Sequence, residues 1–309
     1  MSNGAIYILS QNERYVDLAL HSAASLKRAM PDLPITVFSQ FPISSPLIER
    51  VIPVQPTRHG FYDKTKLMRE SPYERTLFID ADILVLERFP ELFDLLDRFD
   101  CAATHEEYVS TDWFNHYPRN DIPCSFPELN TGIFLFKRSA KMESVFTEWE
   151  ALYARYLEAN PDQPINDQPF FRAAIYYSDA RVATLTRDYN CKFRGQGYLN
   201  GSLKVLHGHV DFQFDPRQIR MATSALNASH RPRVYIAGQV YDQELTGRLV
   251  GLRKARRIGT FPIYPGSLTL RRAKRLQQLI QQEGLRKILM KLLPRNWRFG
   301  WLAGIANRE

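Results

Sequence analysis

Thr76-Leu-Phe-Ile-Asp-Ala-Asp-Ile-Leu-Val-Leu86 sets two carboxylates inside an otherwise apolar run. A single straight strand through a core would bury both charges at a cost of several kcal/mol each. The strand is therefore expected to end at Asp80. Residues i and i+2 of an extended backbone face the same way, so Asp80 and Asp82 converge. Strand ends at the carboxyl edge of an α/β sheet are where ligands bind. Two convergent carboxylates there suit a hard divalent cation such as Mg²⁺ or Mn²⁺, which a pyrophosphate needs for charge neutralisation. An Asp-x-Asp pair can also simply form a turn or cap the next element.

Upstream, the chain alternates short apolar runs with helical periodicity. Ala5–Leu9 reads as a buried strand. Val16, Ala19, Leu20, Ala23, Leu26 and Met30 recur at helical spacing until Pro31 and Pro34. Ile35–Phe38 is a second strand, and Val51–Val54 a third, placed at an edge by Pro53. Phe61–Arg69 is helical, and Arg75–Ile79 is a strongly apolar strand. This alternation predicts a parallel α/β sheet. Downstream, residues 105–128 read as a long polar and aromatic loop of a functional kind. Ile133–Phe136 is a strand. Met142, Val145, Phe146, Trp149, Leu152, Tyr153, Tyr156 and Leu157 form the core stripe of a long helix. A shorter helix follows Asp167, and Lys204–Leu206 is a late strand.

Length and composition bound the class. The 309 residues are 44% hydrophobic and 24% charged, which is globular and suggests one large domain or two modest ones. Cys101, Cys124 and Cys191 are too few and scattered for a disulfide framework or a cysteine-based zinc site. The first residues read as a strand rather than a signal peptide, and no apolar stretch is long enough to span a membrane. A cytoplasmic protein is expected. The net charge of +8 is uneven: residues 231–309 hold 17 Lys/Arg against 4 Asp/Glu, and residues 1–230 hold 24 against 29. The partner of the basic region is therefore sought at the C-terminal end.

Several blocks together resemble a known family. Tyr73-Glu-Arg-Thr-Leu-Phe-Ile-Asp-Ala-Asp-Ile-Leu-Val-Leu86 is similar to the metal-binding segment of nucleotide-sugar glycosyltransferases of GT-A fold, most of all the glycogenin-like glycosyltransferase family 8. Leu9-Ser-Gln-Asn-Glu-Arg-Tyr-Val16 resembles the family's nucleoside-holding opening, and Lys64-Thr-Lys-Leu67 its lysine upstream of the acids. Asn130-Thr-Gly-Ile-Phe-Leu-Phe136 resembles its Asn-x-Gly strand, Asn166-Asp-Gln-Pro-Phe170 its Asp-Gln helix start, and Leu206-His-Gly-His209 its late metal-binding histidine. Six blocks in the family's order, over about residues 5–210, are more specific than any one of them.

The resemblance implies a GT-A Rossmann-like fold, with a mixed, mostly parallel sheet and flanking helices. It implies a metal-dependent hexosyltransferase that uses a UDP-sugar, acts on a glycan or lipid-linked acceptor and retains anomeric configuration. Asp80, Asp82 and His207 would hold Mn²⁺, or Mg²⁺, with His209 an open alternative to His207. Leu9, Ser10, Asn12, Tyr15, Lys66, Asp80, Ala81, Asp82, Asn130 and Gly132 would line the nucleotide-sugar site. Asp167 and Gln168 would face the sugar. Each also has an ordinary structural reading: Asn12 as a loop cap, Lys66 as a solvated cation, Asn130-Thr-Gly132 as a turn before the strand, Asp167 as a helix cap. The family's lysine and Pro-Trp after the histidine are missing, so the cation for the leaving diphosphate is open; Lys204 or the basic C-terminal region could supply it.

The expected organisation is a catalytic domain over 1–230, a linker or extension over 231–267, and a basic amphipathic helical tail over 268–309. Leu285, Ile288, Leu289, Leu292 and Leu293 form an apolar stripe in that tail, with Arg286, Lys287 and Lys291 off it. Such a helix suits either an anionic membrane surface, giving a peripheral enzyme on the cytoplasmic face, or packing on the catalytic domain. Two other functions are weighed. A sugar-phosphate nucleotidyltransferase would carry a Gly-rich phosphate loop, which Ser10–Arg14 lacks. A nucleic-acid-binding protein would carry stacking aromatics among its basic residues, whereas these aromatics fall in core stripes, so no nucleic acid is expected.

Overall fold

The structure, a computed structural model, describes residues 2–57, 59–106, 121–123, 125–161, 165–208, 216–236, 238–244 and 254–260. Most of the 105–128 loop, His209 and the 268–309 tail lie outside the described residues. A compact unit runs from Met1 to Pro262, and residues 263–309 form a second unit.

The centre is a seven-stranded sheet. Its strands are β1 (Asn3–Leu9), β2 (Ile35–Ser39), β3 (Arg50–Pro53), β4 (Arg75–Ile79), β6 (Cys101–His105), β7 (Leu129–Lys137) and β8 (Val182–Leu185), in the order β3-β2-β1-β4-β7-β6-β8. Neighbours are parallel except around β7, which runs antiparallel to both β4 and β6. The expected mixed, mostly parallel sheet is met, and β3 with Pro53 is its edge.

Strand alternation divides the core in two. Tyr7, Leu9, Leu77, Ile79, Ile133 and Leu135 pack with Ala19, Ala23 and Leu26 of α1 (Arg14–Ala29) on one face. Ile6, Phe78, Phe134 and Phe136 pack on the other face with α3 (Ala140–Ala159) and α4 (Gln168–Tyr176). The predicted stripe of α3 is core: Met142, Val145, Phe146, Trp149, Leu152 and Tyr153 are all buried, and Ser139 caps the helix by accepting from Met142 N.

Two smaller sheets follow. β5 (Ile83–Val85), β11 (Val205–His207) and β9 (Cys191–Lys192) form one, in the order β5-β11-β9. β10 (Gln196–Leu199), β12 (Arg233–Ile236), β13 (Gln239–Glu244) and β14 (Lys254–Thr260) form the other.

Three differences from the sequence reading have physical causes. Asn130, Thr131 and Gly132 lie inside β7, not in a turn before it, because β4 pairs on through Ile79↔Ile133 and Asp80 N then donates to the Gly132 carbonyl at 2.8 Å. The late strand is shifted to Val205–His207, which puts the histidine itself in a sheet. Within the expected 231–267 linker or extension, Arg233–Ile236, Gln239–Glu244 and Lys254–Thr260 are strands, and β12 pairs with β10 of the preceding region. Their high content of Arg and Lys hides the β pattern; Arg233 is buried by donating to the Leu226 and Arg231 carbonyls.

Candidate active site

β4 ends at Ile79, so Asp80 and Asp82 leave the sheet at its carboxyl edge, as the cost of burying two charges requires. β5 then pairs antiparallel with β11, and His207 falls opposite Ile83, one residue past Asp82. This register brings together groups 125 residues apart in sequence. One ligand atom from each of Asp80, Asp82 and His207 lies within 4.8 Å of the others, and His207 Nε2 is 3.6 Å from Asp82 Oδ1.

The imidazole is oriented from behind. Asn190 Nδ2 donates to Thr104 Oγ1 at 3.0 Å and to Asn130 Oδ1 at 2.8 Å. The Asn190 oxygen is thereby left to accept from His207 Nδ1 at 2.7 Å. The hydrogen sits on Nδ1, and the Nε2 lone pair faces the acids, the tautomer a metal ligand needs.

Burial first, and then the charge of Asp80, pushes the Asp82 carboxyl up to about 7. Asp80 is also raised, by burial and the charge of Asp167, against the pull of Lys64. A carboxyl pushed up by a neighbouring carboxylate is relieved by a cation between them. Two hard oxygens with one borderline nitrogen fit a divalent ion, Mn²⁺ better than Mg²⁺.

A second layer supports the first. Lys64, on α2 (Gly60–Leu67), is buried, with Nζ 3.3 Å from Asp80, 3.6 Å from Asp167 and 4.6 Å from the Phe78 ring centre. It donates to Thr131 Oγ1 at 3.0 Å, which in turn donates to Asp167 Oδ2 at 2.9 Å. Burial opposes its charge, but Asp167 and Asp80 outweigh that and hold its pKa above the usual lysine value. Asp167 precedes α4 but its side chain makes no capping bond; the carboxylate is turned to Thr131 and Lys64. Gln168 Oε1 accepts from Asn130 Nδ2 at 2.9 Å, and its Nε2 donates at 2.9 Å to both Glu106 and Glu128.

At the opening loop, Leu9 and Ser10 are buried and Asn12 is exposed. Asn12 closes a local turn by accepting from Arg14 N, so it does the work of a loop cap. Tyr15 is half-buried, and its phenol is raised by burial and by the charges of Asp82 and Asp80. Ala81 is half-buried against the core. Gln11, at φ 69°, is held by bonds to Gln40, Thr57 and Asp63. A left-handed glutamine costs about 1–3 kcal/mol and marks this turn as over-determined by its neighbours.

Lys66 is exposed on α2, away from the lysine that meets the acids, Lys64. Lys204 pairs with Glu87 at 2.9 Å. Thr131, Asn190, Glu106, Glu128 and Lys192 carry the network and were not singled out from sequence. For Lys64 a signal existed: it stands four residues before the buried Met68, on the inward face of the helix.

Gly132 has a steric reason. A Cβ there would lie 2.3 Å from His207 Cε1 and 2.8 Å from Asp80 Oδ2. Gly132→Ala is therefore expected to push the ring and carboxylate apart and to weaken Mn²⁺ binding by about 10–100-fold, as loss of a supporting contact does. Calorimetric titration checks this; unchanged affinity would show that both groups shift without cost.

Residues 61–209 match the model of Glycosyl transferase family 8. No match is found among curated proteins. Among solved structures the chain is similar to an active-site mutant of LgtC, at 14% identity, covering 71% of this chain and 95% of that one, with a TM-score of 0.45. It is also similar to mouse xyloside xylosyltransferase 1 in its apo form, at 13% identity, with 69% and 99% covered and a TM-score of 0.45. The apo structure of the bifunctional glycosyltransferase WbbM is similar at 15% identity, with 63% and 40% covered and a TM-score of 0.41. Residues 61–209, the stretch that carries Lys64, both acids, Asp167 and His207, are thus the part of this chain that is similar to glycosyl transferase family 8.

Proposed function

We propose that this glycosyltransferase moves a hexose from a UDP-sugar to a hydroxyl of a glycan or lipid-linked acceptor, with retention, at the Asp80–Asp82–His207 centre. The observation that carries the reading is the convergence of these three ligand atoms within 4.8 Å at the carboxyl edge of the sheet. In the transfer, the bond from C1 to the β-phosphate oxygen breaks and its electron pair leaves on UDP. The acceptor oxygen bonds to C1, and its proton passes to the oxygen of the departing diphosphate. Asp80, Asp82 and His207 would hold Mn²⁺ or Mg²⁺, which would supply positive charge to the diphosphate. Tyr15 stacks on the base beside Leu9 and Ser10. Asn130 and Gln168 line the sugar site with their amides tied to Glu106, Glu128 and each other, and Asp167, fixed by Lys64 and Thr131, faces it. The test is UDP release from a panel of UDP-sugars with and without Mn²⁺. Release from none of them under Mn²⁺ would refute the reading.

The same proposal extends to location. The basic 268–309 segment docks the enzyme on an anionic membrane face; among the described residues no helix is long and apolar enough to cross a membrane. Removing residues 268–309 is expected to abolish sedimentation with anionic liposomes and to spare UDP-sugar hydrolysis. Full-length protein that ignores such liposomes at low salt would end this part.

A further inference from the structure

A nucleotide diphosphate seated at the acid–histidine centre brings more negative charge than one divalent ion cancels, so a side-chain cation is needed within reach. Lys64 is committed, buried between Asp80 and Asp167. Lys66 is exposed on its helix, and Lys204 is paired with Glu87. Lys192 stands differently. β9 runs parallel to β11 with Lys192 opposite His207, and register partners on neighbouring strands send their side chains to the same face of a sheet. Its ammonium reaches both carboxylate oxygens of Glu106 at 2.7 Å, while its side chain keeps 30% exposure.

We infer that Lys192 is the diphosphate-binding cation of this site, held by Glu106 in the free enzyme and exchanged onto the phosphates when the nucleotide binds. The inference rests on the nucleotide-sugar reading above.

The exchange does not leave Glu106 without partners. Glu106 keeps donors when Lys192 leaves, because Asn130 Nδ2 and Gln168 Nε2 hold one of its oxygens at 2.8 and 2.9 Å. Lys192 moves as a compact point charge on a four-carbon stem with rotatable donors, the form in which lysine binds phosphate. The ion pair with Glu106 also holds the ammonium on the strand face that Lys192 shares with His207 before the ligand arrives, rather than in solvent.

The experiment compares uridine, UMP and UDP, each titrated by calorimetry in saturating Mn²⁺. The native protein is set beside Lys192→Gln, Lys192→Met, Lys192→Arg and Lys204→Gln. Expected is a loss of about tenfold or more in UDP affinity for Lys192→Gln and Lys192→Met, the scale of a lost charge-assisted hydrogen bond. Uridine affinity stays at the native value, Lys192→Arg recovers most of the UDP affinity, and Lys204→Gln binds UDP as the native protein does. Reading the loss against uridine separates a phosphate contact from a general defect in folding, and either neutral variant that melts as the native protein does suffices. Native UDP affinity in that variant, or an equal loss for uridine and UDP, would overturn the inference and leave the parent reading standing. A native protein that ignores UDP in Mn²⁺ would overturn both.

Discussion

Asp80→Asn and Asp82→Asn are each expected to lower divalent-dependent sugar transfer by about 10²–10³-fold or more, since an amide oxygen carries no charge to hold the cation. The two substitutions differ in what they do to the metal-free fold. Asp82 is raised to about 7 by burial and by the charge of Asp80, and Lys64 is not its direct partner. A carboxyl raised on folding contributes stability that is present below its unfolded pKa and lost as pH rises through about 7. Metal-free Asp82→Asn is therefore expected to melt above the native protein at pH 8 and close to it near pH 4. Asp80→Asn, which gives up the 3.3 Å contact with Lys64, gains less. Activity assays with Mn²⁺ and melts in chelator read both effects. Turnover retained in both variants, or equal melting shifts at both pH values, would contradict the assignment. Stability gained as function is lost is the usual signature of a ligand-binding charge cluster.

Lys64→Met is expected to be the most destabilising of the site substitutions, at about 3–5 kcal/mol, because it leaves buried carboxylates without their cation. Asp167 is the more exposed to this loss, since only 3% of its side chain reaches solvent against 33% for Asp80. Pairing the change with Asp167→Asn removes the orphaned charge while keeping an oxygen that can accept from Thr131. The double variant is thus expected to recover part of the loss, a non-additivity that marks direct coupling. Urea unfolding of the four proteins gives the cycle. Strict additivity would mean that Lys64 acts through packing on Phe78 rather than through Asp167.

What could be read from sequence follows the range of the interactions. The α1 stripe, the β4 strand and the edge position of Pro53 rest on neighbours a few residues apart, where period and proline chemistry act directly. The end of β4 at Asp80 was legible because charge and burial conflict within a single strand. Asn190 was not: its contacts are with Thr104, Asn130 and His207, and nothing in Asp188-Tyr-Asn-Cys-Lys192 announces a residue that sets a tautomer. Lys192 and Glu106 meet across 86 residues. That Lys64 rather than Lys66 turns inward was not legible from helix phase alone, since both lie in one turn and only the packing of α2 decides it. Asn130 and Gly132 looked like turn residues by composition, yet the strand tolerates them because the asparagine is fully engaged and a side chain at 132 would collide with the site.

The claim on which the account rests is that Asp80, Asp82 and His207 together hold the ion that binds the nucleotide diphosphate. Crystals grown with Mn²⁺ and UDP, measured at the manganese absorption edge, test it directly. The account predicts one strong anomalous peak bonded to all three residues and to the diphosphate. UDP bound with no peak at these residues, or a peak held by other side chains, would contradict it.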